Sequence, residues 1–147
     1  MTLNHLKEHM LHFDVRPCDV VFTYSSLSWM MWTYLLGCLA IGSALVLFDG
    51  SPFIPSITSM WTDIIERDSV SLFFASARYL DALAKDKFQP ASSSLRFISS
   101  TGSPLSPLTA AYFKSALPNV PLASGSGGTE LNGSVQKKKR KKKIVFG

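Results

Sequence analysis

Two cysteines, Cys18 and Cys38, are all that 147 residues contain, and Cys38 lies inside an apolar run. That number is too small for a disulfide framework, so reduced thiols are expected, as in a cytosolic protein. The N-terminus places His5, Lys7, Glu8 and His9 where a secretory signal needs an unbroken apolar stretch, so no signal peptide is expected. The patterns G-x-x-x-x-G-K-[ST], G-x-G-x-x-G and G-x-S-x-G are all missing. Their absence removes the standard phosphate-loop, dinucleotide and hydrolase-elbow signatures. No internal repeat is visible, which excludes a solenoid. Basic charge is scarce in the body of the chain. Seven of the fifteen Lys and Arg residues lie between Lys137 and Lys143, and the remaining eight face ten acidic residues. The formal charge of +5 is thus a property of the tail, and a nucleic-acid-binding fold does not follow from it.

A long uncharged run is present. Trp29 to Phe48 (WMMWTYLLGCLAIGSALVLF) has the length of a membrane span. Gly37 and Gly42 interrupt it, Asp49-Gly50 ends it with a turn signal, and the apolar Val20-Val21-Phe22 precedes it as a matching strand. These features favour a buried helix, a turn at Gly42-Ser43 and a buried strand from Ala44 to Phe48. Elsewhere the spacing predicts a helix over Leu3 to Phe13, with Leu3, Leu6, Met10 and Phe13 on one side. It predicts strands over Asp19 to Tyr24, Val70 to Phe74, Leu95 to Ile98 and Val120 to Leu122. Further helices are expected from Ser28, from Pro55 or Ser56, from Ser76 and from Pro107, each opened by a capping residue or proline. Apolar strands alternating with helices specify an α/β fold, a parallel sheet flanked by helices. Ligands of such sheets bind at the loops beyond the strands' carboxyl ends. The turn Thr101-Gly102-Ser103-Pro104 and the run Ala123-Ser124-Gly125-Ser126-Gly127-Gly128-Thr129-Glu130 both fall there.

The second of these is the richest stretch of the chain. Glycines let backbone pass close to a ligand, and exposed amides in a turn form a nest for an anion. A hydroxyl and a carboxylate, Thr129 and Glu130, suit a phosphate oxygen and a hard cation. A flexible loop without a ligand explains the composition equally well. His5, His9 and His12 share one helix face at a spacing that can present imidazoles to zinc, but a solvated polar face opposite the apolar one is the simpler reading. Trp29, Met30, Met31 and Trp32 either fill core or line an apolar pocket. Lys137 to Lys143 reads as a nuclear-import or polyanion-binding run, or as a disordered terminus.

Three passages taken together resemble the AMP-forming acyl-CoA synthetases of the adenylate-forming superfamily, within them the branch that activates acetoacetate. They are Asp19 to Gly50 (DVVFTYSSLSWMMWTYLLGCLAIGSALVLFDG), Ser94 to Pro107 (SLRFISSTGSPLSP) and Leu122 to Glu130 (LASGSGGTE). The resemblance implies a ligase that joins a carboxylate to AMP from ATP, releases pyrophosphate and passes the acyl group to the thiol of coenzyme A. Gly102, Ser103 and Pro104 then match the family's adenine-lining Gly-Glu-Pro turn, with Ser103 in place of Glu. Ser124, Gly125, Ser126, Gly127, Gly128 and Thr129 match the second nucleotide strip. Thr129 would contact the α-phosphate and Glu130 would hold magnesium. Trp29, Met30 and Met31 fall in the acyl pocket, and Gly127 stands where acetyl-specific members carry Trp, leaving room for a larger acid. The family's Lys-ended phosphate loop, its ribose-binding Asp, its Arg and its lid domain with a catalytic Lys have no match in these residues. The expectation is therefore a slice of the large adenylation domain over 1–131, with a basic disordered tail over 132–147. It has exposed apolar edges and no turnover of its own. It is cytosolic, with small-molecule partners and neither a nucleic acid nor a membrane among them. Two other readings stay open: a regulatory fragment carried to the nucleus by its tail, and a protein inserted in a membrane through 29–48.

Overall fold

The computed structural model describes residues 2–128 and 133–136. The chain runs α1 (Thr2–Leu11), β1 (Val20–Thr23), α2 (Met30–Leu36), a 3-10 turn (Gly37–Ile41), β2 (Ala44–Val46), a π-helical turn (Trp61–Glu66), β3 (Leu72–Ser76), α3 (Ala77–Lys85), β4 (Phe97–Thr101), α4 (Pro107–Ala116), β5 (Leu122–Gly128) and β6 (Gly133–Gln136). The sheet order is β2-β1-β3-β4-β5-β6. The first five strands are parallel, and β6 is antiparallel to β5. Parallel strands need crossover connections, here helical, and both faces of such a sheet are covered.

Alternation along each strand sends residues to two cores. Phe22, Phe73, Ala75 and Ile98 meet Trp61, Leu80, Leu83 and Phe113 on one face. Val21, Leu72 and Phe74 meet Phe13, Met31, Tyr34, Leu35 and Cys38 on the other. Trp61 is fully buried and donates its indole N–H to the Ala91 carbonyl at 3.0 Å. Ser76 caps α3 by accepting from the Tyr79 amide, and Ser106 caps α4 by accepting from the Thr109 amide, with Pro107 at the first helical position. These caps satisfy amides that the first helical turn leaves unpaired.

Several expectations are corrected. Residues 124–128 are neither a loop nor an anion nest. They continue β5 as an extended strand, because Leu122 to Ser124 pair with β4 and Gly125 to Gly128 pair with β6. Among the described glycines only Gly42 and Gly102 take positive φ. Residues 133–136, expected to be disordered, are strand β6. The rest of the tail lies outside the described residues. The helix from Ser28 starts at Met30 without a side-chain cap and tightens into the 3-10 turn after Leu36. The helix from Pro55 is reduced to a short π-helical turn. Strands β3 and β4 extend further toward the carboxyl end than apolarity indicated, because their last residues pair across the sheet.

Helix α1 is turned over relative to its apolar pattern. Leu3 is 83% exposed and Met10 56%, while His5, Glu8 and His9 are buried. Hydrogen bonds outweigh side-chain apolarity here. His9 Nε2 donates to the Tyr34 carbonyl at 2.8 Å, and the Tyr34 hydroxyl donates to Glu8 Oε2 at 2.8 Å. His12 stays exposed. Among the described residues no three His, Cys, Asp or Glu side chains are grouped to hold a metal, and no described helix is long and apolar enough to cross a membrane.

At the opposite end from the glycines, three strands start on one carboxylate. Asp19, just before β1, accepts from Ser71 Oγ at 2.8 Å and Arg96 Nε at 3.0 Å through Oδ1. Its Oδ2 accepts from the Arg16 amide at 2.7 Å and from Arg96 Nη2. Ser71 precedes β3 and Arg96 precedes β4. Burial works against the Asp19 charge, but these donors outweigh it and hold the carboxyl below its usual range.

Asp19→Ala is expected to lower stability by about 2–3 kcal/mol at pH 7, since Arg96 is left partly buried without its partner. Urea unfolding checks this. The depressed carboxyl contributes stability above the unfolded value of about 3.9 and loses it as pH falls through the folded value. His9 gives a second pH term. Burial first of all, against the opposing Tyr34 bond, pushes its imidazole down to about 4. Its contribution is whole above the unfolded pKa of about 6.5 and falls by about 3 kcal/mol as pH drops toward 4. His9→Gln is expected to flatten the urea midpoint between those pH values; an unchanged slope refutes the assignment.

Candidate functional site

The loops and strand tips at the carboxyl end of the parallel sheet enclose a cavity of about 770 Å³. Trp29, Met30 and Met31 reach it from the start of α2, after β1. Gly102, Ser103 and Pro104 reach it from the turn after β4. Ser124, Gly125, Ser126, Gly127 and Gly128 form its third side from β5. All the described residues expected at the site therefore line one space. Thr129 and Glu130 lie outside the described residues.

Local chemistry explains each wall. Gly102 has φ of 88°, a conformation open to glycine at little strain, and it lets the chain turn sharply off β4. A Cβ there would come 3.8 Å from Trp29 Cη2, so the turn and the indole close on each other. Trp29 is 42% exposed, which resolves the choice between core and pocket in favour of the pocket. Met31 does both, being 8% exposed in the core while lining the cavity. The β5 edge is extended backbone with small side chains, so it offers main-chain groups and the hydroxyls of Ser124 and Ser126.

Thr101, in the turn marked in the sequence, lines the cavity too, and so do Phe13, Tyr34, Phe74, Ser99 and Gly133, which sequence reasoning missed. Phe74 and Ser99 needed the sheet register, being cross-strand partners. Tyr34 is held by Glu8 and His9 from α1, so the helix turned inward by hydrogen bonds supports the cavity's deep wall. Gly133 meets the same helix: a Cβ there would clash with the Glu8 carboxylate and stand 2.8 Å from Asn4 Nδ2.

The described lining holds no charged side chain. It is suited to a flat or apolar group flanked by hydroxyls and backbone amides, as an adenosine and a short acyl chain would be. The described lining supplies no carboxylate to a cation. A second cavity of about 850 Å³ lies across the indole, between the ends of β1, β2 and β3, with Tyr24, Trp32, Phe48, Phe53 and Arg78 among its lining. Trp29 is common to both.

The chain is similar to known proteins in sequence and in fold. The acetoacetyl-CoA synthetase of Danio rerio is 40% identical over 134 residues, covering 88% of this chain and 20% of that protein. The acetoacetyl-coenzyme A synthetase of Rhizobium meliloti is 42% identical with the same coverage. The solved acetoacetyl-CoA synthetase from Streptomyces lividans superposes with a TM-score of 0.85 at 37% identity, over 89% of this chain and 21% of that one. The chain thus spans about one fifth of the length of these relatives. The model of the family described as AMP-binding enzyme matches residues 2–144, nearly the whole length, and the chain with this cavity belongs to that family.

Proposed function

We propose that the cavity is the adenylate and acyl site of an acetoacetate–CoA ligase, and that this chain forms part of its adenylation domain. The observation that supports the reading is the meeting of three passages, distant in sequence, around one cavity at the strands' carboxyl ends whose described lining is uncharged. The adenine lies along Gly102-Ser103-Pro104, the adenylate follows β5, and the acyl chain points toward Trp29, Met30 and Met31. Gly127 leaves space beside the acyl group for four carbons. Thr129 contacts the α-phosphate, and Glu130 is the residue that would hold magnesium, which offsets phosphate charge when bound. In the reaction the acetoacetate carboxylate attacks the α-phosphorus, pyrophosphate leaves, and the thiol of coenzyme A takes the acyl group from AMP. A cytosolic location accompanies this reading.

This chain's own part is positioning. A preformed cavity holds the carboxylate against the phosphorus and so removes much of the entropy of encounter. Stabilising the charge that develops on the phosphate needs cations or strong donors, and the described lining carries no cationic side chain. The 147 residues alone are therefore expected to bind an adenylate and not to turn over.

Titration calorimetry with 5′-O-sulfamoyladenosine, a stable AMP mimic, is expected to show saturable binding by the purified chain. No heat at millimolar ligand overturns the reading. Acetoacetyl-CoA appearing from ATP, acetoacetate and coenzyme A would refute the positioning-only role. Gly127→Trp is expected to weaken the N-acetoacetyl form of the same mimic at least tenfold, with sulfamoyladenosine itself affected less than twofold.

A further inference from the structure

We infer that Ser99 reads the 3-oxo group of the acid, so that its hydroxyl sets the preference for a 3-oxo acid over a plain fatty acid of the same length. The inference rests on the adenylate and acyl reading above.

Four residues lie side by side across the sheet in this layer. Thr23 pairs with Phe74, Phe74 with Ser99, and Ser99 with Ala123. Side chains level with one another on neighbouring parallel strands share a face, and Phe74 and Ser99 both line the cavity. Ser99 is 4% exposed, and Thr101, two residues on and on the same face, stands one step nearer the Gly102 turn. Ser99 is thus at the deep end of the space, beyond the mouth where the adenine turn lies.

Two hydroxyls beside it are committed elsewhere, while Thr101 stands nearer the turn. Thr23 Oγ1 donates to the Phe74 carbonyl at 2.9 Å, and the Tyr34 hydroxyl donates to Glu8 at 2.8 Å. No hydrogen bond joins the Ser99 hydroxyl to any described residue, and its oxygen is not one of the fully enclosed unpartnered atoms, so it keeps some access to the cavity that the residue lines. The remainder of the deep wall is apolar: Phe13, Met31 and Phe74. A ligand that fills this end leaves the Ser99 hydroxyl desolvated unless the ligand itself brings an acceptor.

An acyl chain entering from the phosphate side past Gly127 presents its carbons to this wall. One hydrogen-bond acceptor on an otherwise apolar tail is the complement of a hydroxyl set against Phe13, Met31 and Phe74. A ketone oxygen fits, since it accepts and carries no charge. A carboxylate at that place would be buried with no cation beside it. The ligand class is accordingly a short 3-oxo acid, and a saturated acid of equal length loses the bond and strands the hydroxyl. Sites that hydrogen-bond a substrate group discriminate against analogues lacking it more sharply than apolar pockets discriminate by size.

The test compares three probes by calorimetry on the full chain: 5′-O-sulfamoyladenosine, its N-acetoacetyl derivative and its N-butanoyl derivative. The wild-type chain is expected to bind the acetoacetyl form about tenfold more tightly than the butanoyl form. Ser99→Ala is expected to remove that ratio by weakening the acetoacetyl form alone, with sulfamoyladenosine affinity unchanged as the control for folding. Ser99→Thr, which keeps a hydroxyl at the position, is expected to keep a preference for the acetoacetyl form. Equal wild-type affinities, or a tenfold ratio surviving in Ser99→Ala, overturns the assignment while sulfamoyladenosine binding leaves the adenylate reading standing. Loss of sulfamoyladenosine binding in the wild-type chain overturns both.

Discussion

One buried carboxylate sets the frame on which the cavity is built. Asp19 gathers donors that sit immediately before β3 and β4, and it precedes β1 itself. Parallel strands have no tight turn to fix their register, so a fixed point at their starts is valuable. The backbone extends the same clasp outward, since the Ala44 amide that begins β2 donates to the Asp19 carbonyl at 2.9 Å. With the starts of the strands fixed, the register that brings Phe74 and Ser99 side by side at the cavity is fixed too. The ion pair is worth more as a spacer than as a surface interaction, because Asp19 is only 3% exposed.

The two ends of the sheet are chemically opposite. The amino end is locked by charge, with Asp14, Arg16, Asp19 and Arg96 close together. The carboxyl end has an uncharged described lining in its main cavity and leans on glycine, hydroxyl and aromatic groups. Such a division suits a protein whose ligands bring their own charge. It also leaves apolar surface uncovered: Leu47 after the edge strand β2 is 68% exposed, and Leu27 and Ile54 are 73% and 71%. Edges and faces of this kind invite association when nothing else covers them.

Much of this was legible in the amino-acid order, and what was not has definite physical causes. Apolar strands separated by helical spacing gave the parallel sheet, and Ser76, Ser106 and Pro107 announced two helices through local capping. These are short-range signals. Helix α1 misled because its apolar residues were assumed to seek the core, whereas the buried bonds of His9 and Glu8 to Tyr34, some 25 residues away, decide its orientation. The glycine run misled for a related reason. Glycine permits a turn without requiring one, and pairing with β4 and β6 holds these residues extended. Ser124 through Gly128 line the cavity from a strand instead of from a loop. Ser99 was invisible because nothing local separates it from Ser100, and only the register shows which of the two faces the ligand space.

Gly133 lies against the first helix, where the Glu8 carboxylate occupies the volume that a side chain at 133 would need. Glu8 in turn holds the Tyr34 hydroxyl, and Tyr34 forms part of the cavity wall. The first helix and the last described strand are thereby joined into one compositional unit with the ligand space. A side chain at 133 would therefore act on the tyrosine through the end of Glu8, which would have to swing aside and leave the hydroxyl to another acceptor. The cavity wall at Tyr34 is in this way sensitive to residues near both ends of the described chain.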